Sequence, residues 1–474
     1  GRYTGGYDAD RMLSIAAGAV IAADAGAEIG LTSDTDIRVD GTIRAPAGKI
    51  ALALTAPPSA IKAVYNPDQA ISLGNTALLD AGGTLVPTTN SLGLKLGQVL
   101  AGGTVSLTAD RGYLLTAAGS RIDVSGSQAQ VDIVNAAGKA RPTIGSAGGS
   151  INLTAAEGMI LQGQLRAAAG QGQAATGTTR PAGGRLSVTL DAQRRAEPED
   201  TVFTTGDRVI HIGAVLPALP DAGSLAAGGI DQSLNGQAYL SAAQIAAGGF
   251  DALALTAAVI EPDQYADTPL VPEAGAIRFD GDVELALAHS LILDAPLISG
   301  NGKVALSANT FRLGSSLNRA AHGKLAGASA AADFSVAANL IELQGSSQID
   351  GFGQIRFSSA GELRLSGVRP NGEADLAGSL EVAGNLTLAA RQVYPTTFSR
   401  YRIAIDADLN PDGTLDILPA GGAWATPYSA AGALALSAPH IANRGVLLAP
   451  FGSIDLQAGK SLTLAARSVT SVSD

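Results

Sequence analysis

The sequence predicts an all-β fold, a right-handed parallel β-helix with protruding loop insertions, and three observations carry that expectation. Short segments alternate aliphatic and small polar residues with a period of two, as in GTVSLTA from Gly103 and GSINLTA from Gly149. That alternation marks a half-buried strand. The same unit, Gly-x-h-x-h-x-Ala with h aliphatic, returns at Gly302 (GKVALSA), Gly432 (GALALSA) and Gly452 (GSIDLQA). Where nothing is inserted its spacing is regular, since 452 − 432 is 20 and 302 − 281 is 21 for the glycines at those positions.

Looser copies open at Gly48 (GKIALALTA), Gly184 (GRLSVTL), Gly249 (GFDALALTA) and Gly384 (GNLTLAA). Within one unit Leu434 and Leu436 alternate, Ile441 follows, and Val446-Leu447-Leu448 form a second cluster. Glycines and AGG or SG pairs fall between the clusters, where a tight turn needs positive φ or has no room for a Cβ. Each unit thus reads as two or three short strands. A unit this short cannot cover its own apolar side, but stacked on its copies it can, one rung every ~4.8 Å. Parallel connections are right-handed. Helical solenoids, Ca²⁺ β-rolls and propellers fit less well, since the 3.6 period, tandem G-G-x-G-x-D repeats and aromatic blade signatures are all missing.

With insertions allowed for, about 14–18 coils are expected, a rod of roughly 65–85 Å. The main insertions lie near 84–100, 127–147, 171–183, 191–248, 259–274 and 391–431, and no linker divides the chain, so 1–474 reads as a single continuous shaft. Loops carried on a rigid scaffold are where function usually sits. Aromatic residues make up only 4% of the chain, so the core is expected to use small side chains and not Phe or Trp.

Composition excludes several functions. There is no cysteine, hence no disulfide, thiolate metal site or cysteine nucleophile. A net charge of −11, with Arg194-Arg195 offset by Glu197, Glu199 and Asp200, argues against nucleic-acid binding. No apolar run reaches membrane-spanning length, so no transmembrane segment is expected. The chain carries no signal peptide and opens at Gly1 in mid-pattern, which predicts a processed product or a piece of something longer.

The AGGSINLTA units, the rung-like SRIDVSG and DIRVDGTIRAPAGKIALAL segments and the absence of cysteine together resemble filamentous haemagglutinin-family exoproteins of Gram-negative bacteria. The stretch 391–420, RQVYPTTFSRYRIAIDADLNPDGTLDILPA, looks like the C-proximal region of large members of that family. The resemblance implies an internal or C-proximal portion of a giant chain, exported by two-partner secretion through an outer-membrane transporter. It implies a secreted, surface-displayed location and a role in adhesion, aggregation or biofilm formation.

The sharpest local signal is DADLNPDGTLD at 406–416. Asp408, Asn410 and Asp412 alternate, Gly413 follows and Asp416 comes three later, a pattern of short oxygen-bearing side chains able to wrap a hard cation such as calcium. Pro419 stands where an EF-hand needs its bidentate glutamate, so that motif is excluded. The alternative is a solvated Asn-Pro-Asp-Gly turn. No cofactor is required.

An enzyme on this scaffold, a polysaccharide lyase or hydrolase, would need clustered carboxylates or arginines on one exposed face. Asp34, Asp36 and Asp40, or Asp280, Asp282 and Glu284, are the candidates. His211, His289, His322 and His440 lack zinc-ligand spacing, and no nucleophile elbow is present. Tyr394, Phe398, Tyr401, Trp424 and Tyr428 concentrate aromatics in an aromatic-poor chain, for a carbohydrate or protein contact or for packing of an insertion. The expected function is a non-catalytic adhesive shaft that contacts a host or bacterial surface protein or glycan. The alternatives are the lyase or hydrolase and a self-assembling filament subunit with end-to-end association.

Overall fold

The computed structural model describes residues 12–55, 69–88, 90–135, 138–174, 180–191, 207–257, 275–316, 324–369 and 376–473. They group into two compact units, Gly1–Thr205 with Val215–Leu253 and Pro262–Leu270, and Gly206–Ala214 with Ala254–Glu261 and Val271–Asp474. The described residues are almost entirely strand, and most strand pairs are parallel. The two α-helices are short, Ala222–Gly228 and Ala242–Gly248, and among the described residues no helix is long and apolar enough to cross a membrane.

In the first unit, Glu28–Ser33, Lys49–Leu54, Thr104–Ala109, Ser150–Ala155 and Gly184–Leu190 pair in parallel without a register shift. Identical positions therefore form columns. Ile29, Ile50, Val105, Ile151 and Leu186 make one, and Leu31, Leu52, Leu107, Leu153 and Val188 the next. From Ile50 and Leu52 onward these side chains are at most 1% exposed, while the alternate Ser106, Asn152, Thr108 and Thr154 face outward half-buried. The period of two in the sequence is this inside–outside alternation.

Glycine opens each rung for a steric reason. A Cβ on Gly103 would lie 1.9 Å from the Gly48 carbonyl oxygen, and one on Gly149 would lie 1.9 Å from that of Gly103. Successive backbones approach too closely there for any side chain.

After each such strand come two shorter ones, also stacked on their counterparts. Asp36–Val39, Ala70–Leu73, Tyr113–Thr116, Gly158–Leu161 and Gln237–Ser241 form one series. Val20–Ala22, Thr42–Arg44, Leu78–Asp80, Arg121–Asp123 and Gln164–Arg166 form the other. In the Ala70, Tyr113 and Gly158 strands every residue is buried. Their outer face is covered by the segment carrying the Ala222–Gly228 helix, where Ala222, Ile230 and Leu234 pack on Ala70, Tyr113, Leu115 and Ile160. A sheet covered on both faces loses its alternation, which is why YLLT and GMIL read as continuous apolar runs.

The second unit repeats the plan with longer strands. Lys303–Gly314, Ala328–Gln344 and Ser346–Ser366 span 12, 17 and 21 residues. One column runs Val283, Val304, Phe334, Ile355, Leu386, Leu415, Ile441, Leu462. Phe279, Phe311, Phe334, Phe352 and Phe357 are buried and meet in ring pairs with centroids 5.3–6.2 Å apart. The expectation of a core without phenylalanine is therefore corrected. Five of the nine Phe residues are gathered on adjacent rungs, a concentration that overall composition hides.

Within the 84–100 and 127–147 segments the described residues form antiparallel pairs of Leu85–Thr88 with Leu96–Val99, Gln128–Gln130 with Thr143–Gly145, and Ile133–Asn135 with Gly138–Ala140. Two other expected insertions contain stacked strands. Within 191–248, Arg208–Gly213 pairs in parallel with Gly275–Asp280, and Gln237–Ser241 with the Gly158 strand. Within 391–431, Gln392–Pro395, Ser399–Ile405 and Thr414–Pro419 all join the parallel stack. SRYRIAI alternates Arg with apolar residues without an opening glycine, so it carries the period without the signature, whereas TLDILP follows Gly413 and keeps the Gly-x-h-x-h pattern, with Pro419 where the unit otherwise has Ala. The 259–274 insertion, His322 and the Arg194-Arg195 pair lie outside the described residues, as does part of 171–183.

Leu153 is 1% exposed and has a stacked leucine or valine on either side. Leu153→Ala is expected to cost about 2–5 kcal/mol through the lost side chain and the cavity left behind, whereas Thr154→Ala on the outer face should stay within ~0.5 kcal/mol. Denaturant titration followed by circular dichroism measures both.

Candidate functional site

The DADLNPDGTLD segment is a connection between the Ser399–Ile405 and Thr414–Pro419 strands, and its side chains serve the turn itself. The Asp406 carboxylate accepts the N–H groups of Asp408 at 2.9 Å and Leu409 at 3.1 Å, and Gly413 N–H donates to the Asn410 carbonyl at 2.9 Å. Asn410 donates to Asn385 on the preceding rung at 3.4 Å. Asp412 meets Lys460 Nζ at 2.6 Å, and that hydrogen bond and charge hold its carboxyl below the usual range. Asp416 pairs with Arg444.

Among the described residues, no three His, Asp or Glu side chains converge to hold a metal ion. Calcium at Asp408, Asn410, Asp412 and Asp416 would have to displace both Lys460 and Arg444. One neighbourhood escaped sequence reasoning. His440 Nδ1 lies 2.7 Å from Ser461 Oγ and Nε2 lies 4.0 Å from Asp412. The strand register places Thr414, His440 and Ser461 side by side. The histidine–carboxylate distance exceeds a hydrogen bond, and the carboxylate is already shared with Lys460, so the group is an exposed polar network.

The carboxylate trios do not assemble. Asp280 and Glu284 were expected on one face with Asp282, but Gly281 at φ 77° ends the Gly275–Asp280 strand and Val283–Ala286 begins a separate one. Alternate residues share a face only along an unbroken strand. Asp280 instead binds His211 at 2.7 Å and Arg278 at 3.0 Å, and Asp282 accepts the Lys303 N–H at 2.8 Å. In the other trio Asp40 pairs with Arg38 at 2.8 Å, and Asp36 accepts the Ala70 N–H at 2.9 Å.

The densest polar array comes from stacked positions on different rungs. Arg312, Glu342, Arg364 and Tyr394 occupy one register position on four neighbouring strands, and Glu362 and Gln392 pair two residues earlier on the last two. Arg364 donates to Glu362 at 2.8 Å and to the Tyr394 hydroxyl oxygen at 2.9 Å, and that hydroxyl donates to Glu362 at 2.7 Å. Ser366 donates to Glu342 at 2.6 Å. Burial pushes the Tyr394 phenol up to about 12, with the bond to Glu362 and its charge adding to it. Burial would raise Glu362, but the bonds from Tyr394 and Arg364 outweigh it and its carboxyl sits below the usual range.

The segment 421–430 is tied alongside this array. Ala425 N–H donates to the Gln392 amide at 2.9 Å, Ser429 Oγ to the Pro395 carbonyl at 2.6 Å, and Phe398 N–H to the Ala430 carbonyl at 3.0 Å. The aromatic concentration read from the sequence therefore splits. Tyr394 and Tyr401 are buried, whereas Phe398, Trp424 and Tyr428 face solvent. The buried pair does the expected packing, and the exposed three are free to touch a partner.

No family model, no curated protein and no solved structure matches the chain.

The two shifts at the array act at opposite ends of the pH range. Glu362, lowered on folding, contributes stability above the ordinary carboxylate pKa, lost as pH falls through its folded value. Tyr394, raised on folding, contributes below pH 10, lost as pH rises through about 12. In Glu362→Gln the acid-side loss should diminish. Tyr394, still buried but relieved of the carboxylate, should titrate below 12, as read by tyrosinate absorbance against the parent protein.

Proposed function

We propose that the chain is a right-handed parallel β-helix and serves as the shaft of a secreted, surface-displayed exoprotein of the filamentous haemagglutinin kind. Its work is attachment or aggregation without catalysis. The observation that carries this reading is the unshifted stacking of one strand pattern on itself, with aliphatic columns inside and short polar residues outside. Such a framework is stiff because each backbone hydrogen bond goes to a neighbouring rung, and it displays whatever its turns and connections carry. Export through an outer-membrane transporter follows from the sequence resemblance, and the absence of cysteine suits a chain that crosses unfolded.

The charged side chains support a structural role over a hydrolytic one. Glu362, Asp280, Asp412 and Asp416 are each held by a cation, which ties these carboxylates into structural pairs.

The test is attachment by the purified chain. Beads coated with it should adhere to cells or to an extracellular matrix film, and the soluble chain should compete. Failure to adhere, or shortening of matrix polysaccharides by the soluble chain, would contradict the reading.

A further inference from the structure

Two of the exposed phenylalanines occupy backbone positions that disfavour them. The turn Thr396–Ser399 is closed by Ser399 N–H donating to the Thr396 carbonyl at 2.9 Å, and the turn Ala449–Gly452 by the equivalent bond at 2.9 Å. The third residue of each is in the left-handed region, Phe398 at φ 58° and Phe451 at φ 56°. A turn ordinarily takes glycine there, because a side chain crowds the backbone. Other turns of this kind carry Gly18 at φ 80° between Ala16 and Ala19, Ala47 at φ 53° between Ala45 and Gly48, and Arg467 at φ 69° between Ala465 and Ser468.

Neither phenylalanine recovers that strain by packing. Phe398 is 68% and Phe451 69% exposed. They are also not independent. Arg400, Ala433 and Ser453 are stacked partners, so the residues two earlier, Phe398, Ala431 and Phe451, fall on successive rungs at one corner. Ala431, at φ 57°, donates its N–H to the Pro450 carbonyl at 2.9 Å, which ties the second rung to the third. On that middle rung the ring belongs to Tyr428, three residues before Ala431 and 109% exposed. Phe398 and Phe451 thus stand two rungs apart at one corner, roughly 10 Å, and Tyr428 is exposed on the connection that runs between those rungs.

We propose that Phe398, Tyr428 and Phe451 form a binding comb for a linear polysaccharide, whose sugar rings stack on successive aromatic faces. The C–H groups on a pyranose face carry partial positive charge and meet the negative face of an aromatic ring, while the sugar hydroxyls around the rim need polar neighbours. Thr397 is exposed beside the comb and carries a hydroxyl, while Ser399 and Ser429 are buried and brace the turn from inside. A protein partner would call for a contiguous apolar patch. Here Phe398 and Phe451 stand at the same corner with Ala431 on the rung between them, an interval that suits a polymer that itself repeats. Strain kept at exposed positions marks a site where binding, not stability, set the residue.

This inference rests on the adhesive reading and names its ligand class. Affinity electrophoresis of the full chain, through gels containing a neutral β-linked glucan or a polygalacturonate, distinguishes neutral from acidic sugars. Retardation by one of them is expected. The double variant Phe398→Gly and Phe451→Gly should bind about tenfold more weakly or worse, with a melting temperature equal to or above the parent's. Three results would overturn the comb: no retardation by any hexose or hexuronate polymer, undiminished binding in the double variant, or a lowered melting temperature that makes the rings structural. Tyr428→Ser, outside the strained turns, should weaken binding without moving stability. If bead attachment persists while glycan binding is absent, only the comb is lost; if attachment itself fails, the adhesive reading goes with it.

Discussion

Parallel pairing of each strand with its counterpart one repeat away is the constraint from which the other features follow. A six-residue strand such as Ser150–Ala155 buries three side chains, Ile151, Leu153 and Ala155, and cannot cover them alone. Its neighbours on either side, Thr104–Ala109 and Gly184–Leu190, place like on like and satisfy its backbone hydrogen bonds at the same time. Because the side-chain period is two, a shift of one residue would turn the whole aliphatic column to solvent. Register is therefore held by every rung at once, and the glycines that open the rungs mark where backbones come nearest.

The same geometry explains the outer surface. Residues at one register position on successive strands become neighbours although 20 to 30 residues separate them, as Glu342, Arg364 and Tyr394 do. Charged groups gathered in this way neutralise each other, and Glu362 with Arg364 and Tyr394 is the clearest instance. Phe398, Trp424, Tyr428 and Phe451 are aromatic rings left exposed on that surface. Those rings sit at turns and on the tied 421–430 segment, where a stiff framework can hold them toward a partner.

The strand pattern was legible in the sequence because burial on one face writes itself as alternation, and GTVSLTA and GSINLTA land on adjacent rungs in register. Rungs without that signature were not. SRYRIAI alternates charged with apolar residues and has no opening glycine, and YLLT and GMIL lie under the segment carrying the Ala222–Gly228 helix and lose their alternation altogether. Sites were less legible than strands. DADLNPDGTLD reads equally as a cation loop or a turn, and only Lys460 and Arg444, brought from later rungs, show how its carboxylates are engaged. The left-handed φ of Phe398 and Phe451 leaves no trace in composition, since a turn is expected to reveal itself through glycine.

Register can be tested directly, because the chain contains no cysteine. Ser106 and Asn152 are stacked partners on the outer face, with side chains 3.3 Å apart. Strands spaced ~4.8 Å apart bring paired Cα atoms within the 4.4–6.8 Å range that a disulfide spans. Under mild oxidation Ser106→Cys with Asn152→Cys should cross-link within one chain, while Ser106→Cys with Leu153→Cys, one residue out of step and facing inward, should not. Cross-linking of the offset pair with none in the matched pair would contradict the stacking on which this account is built.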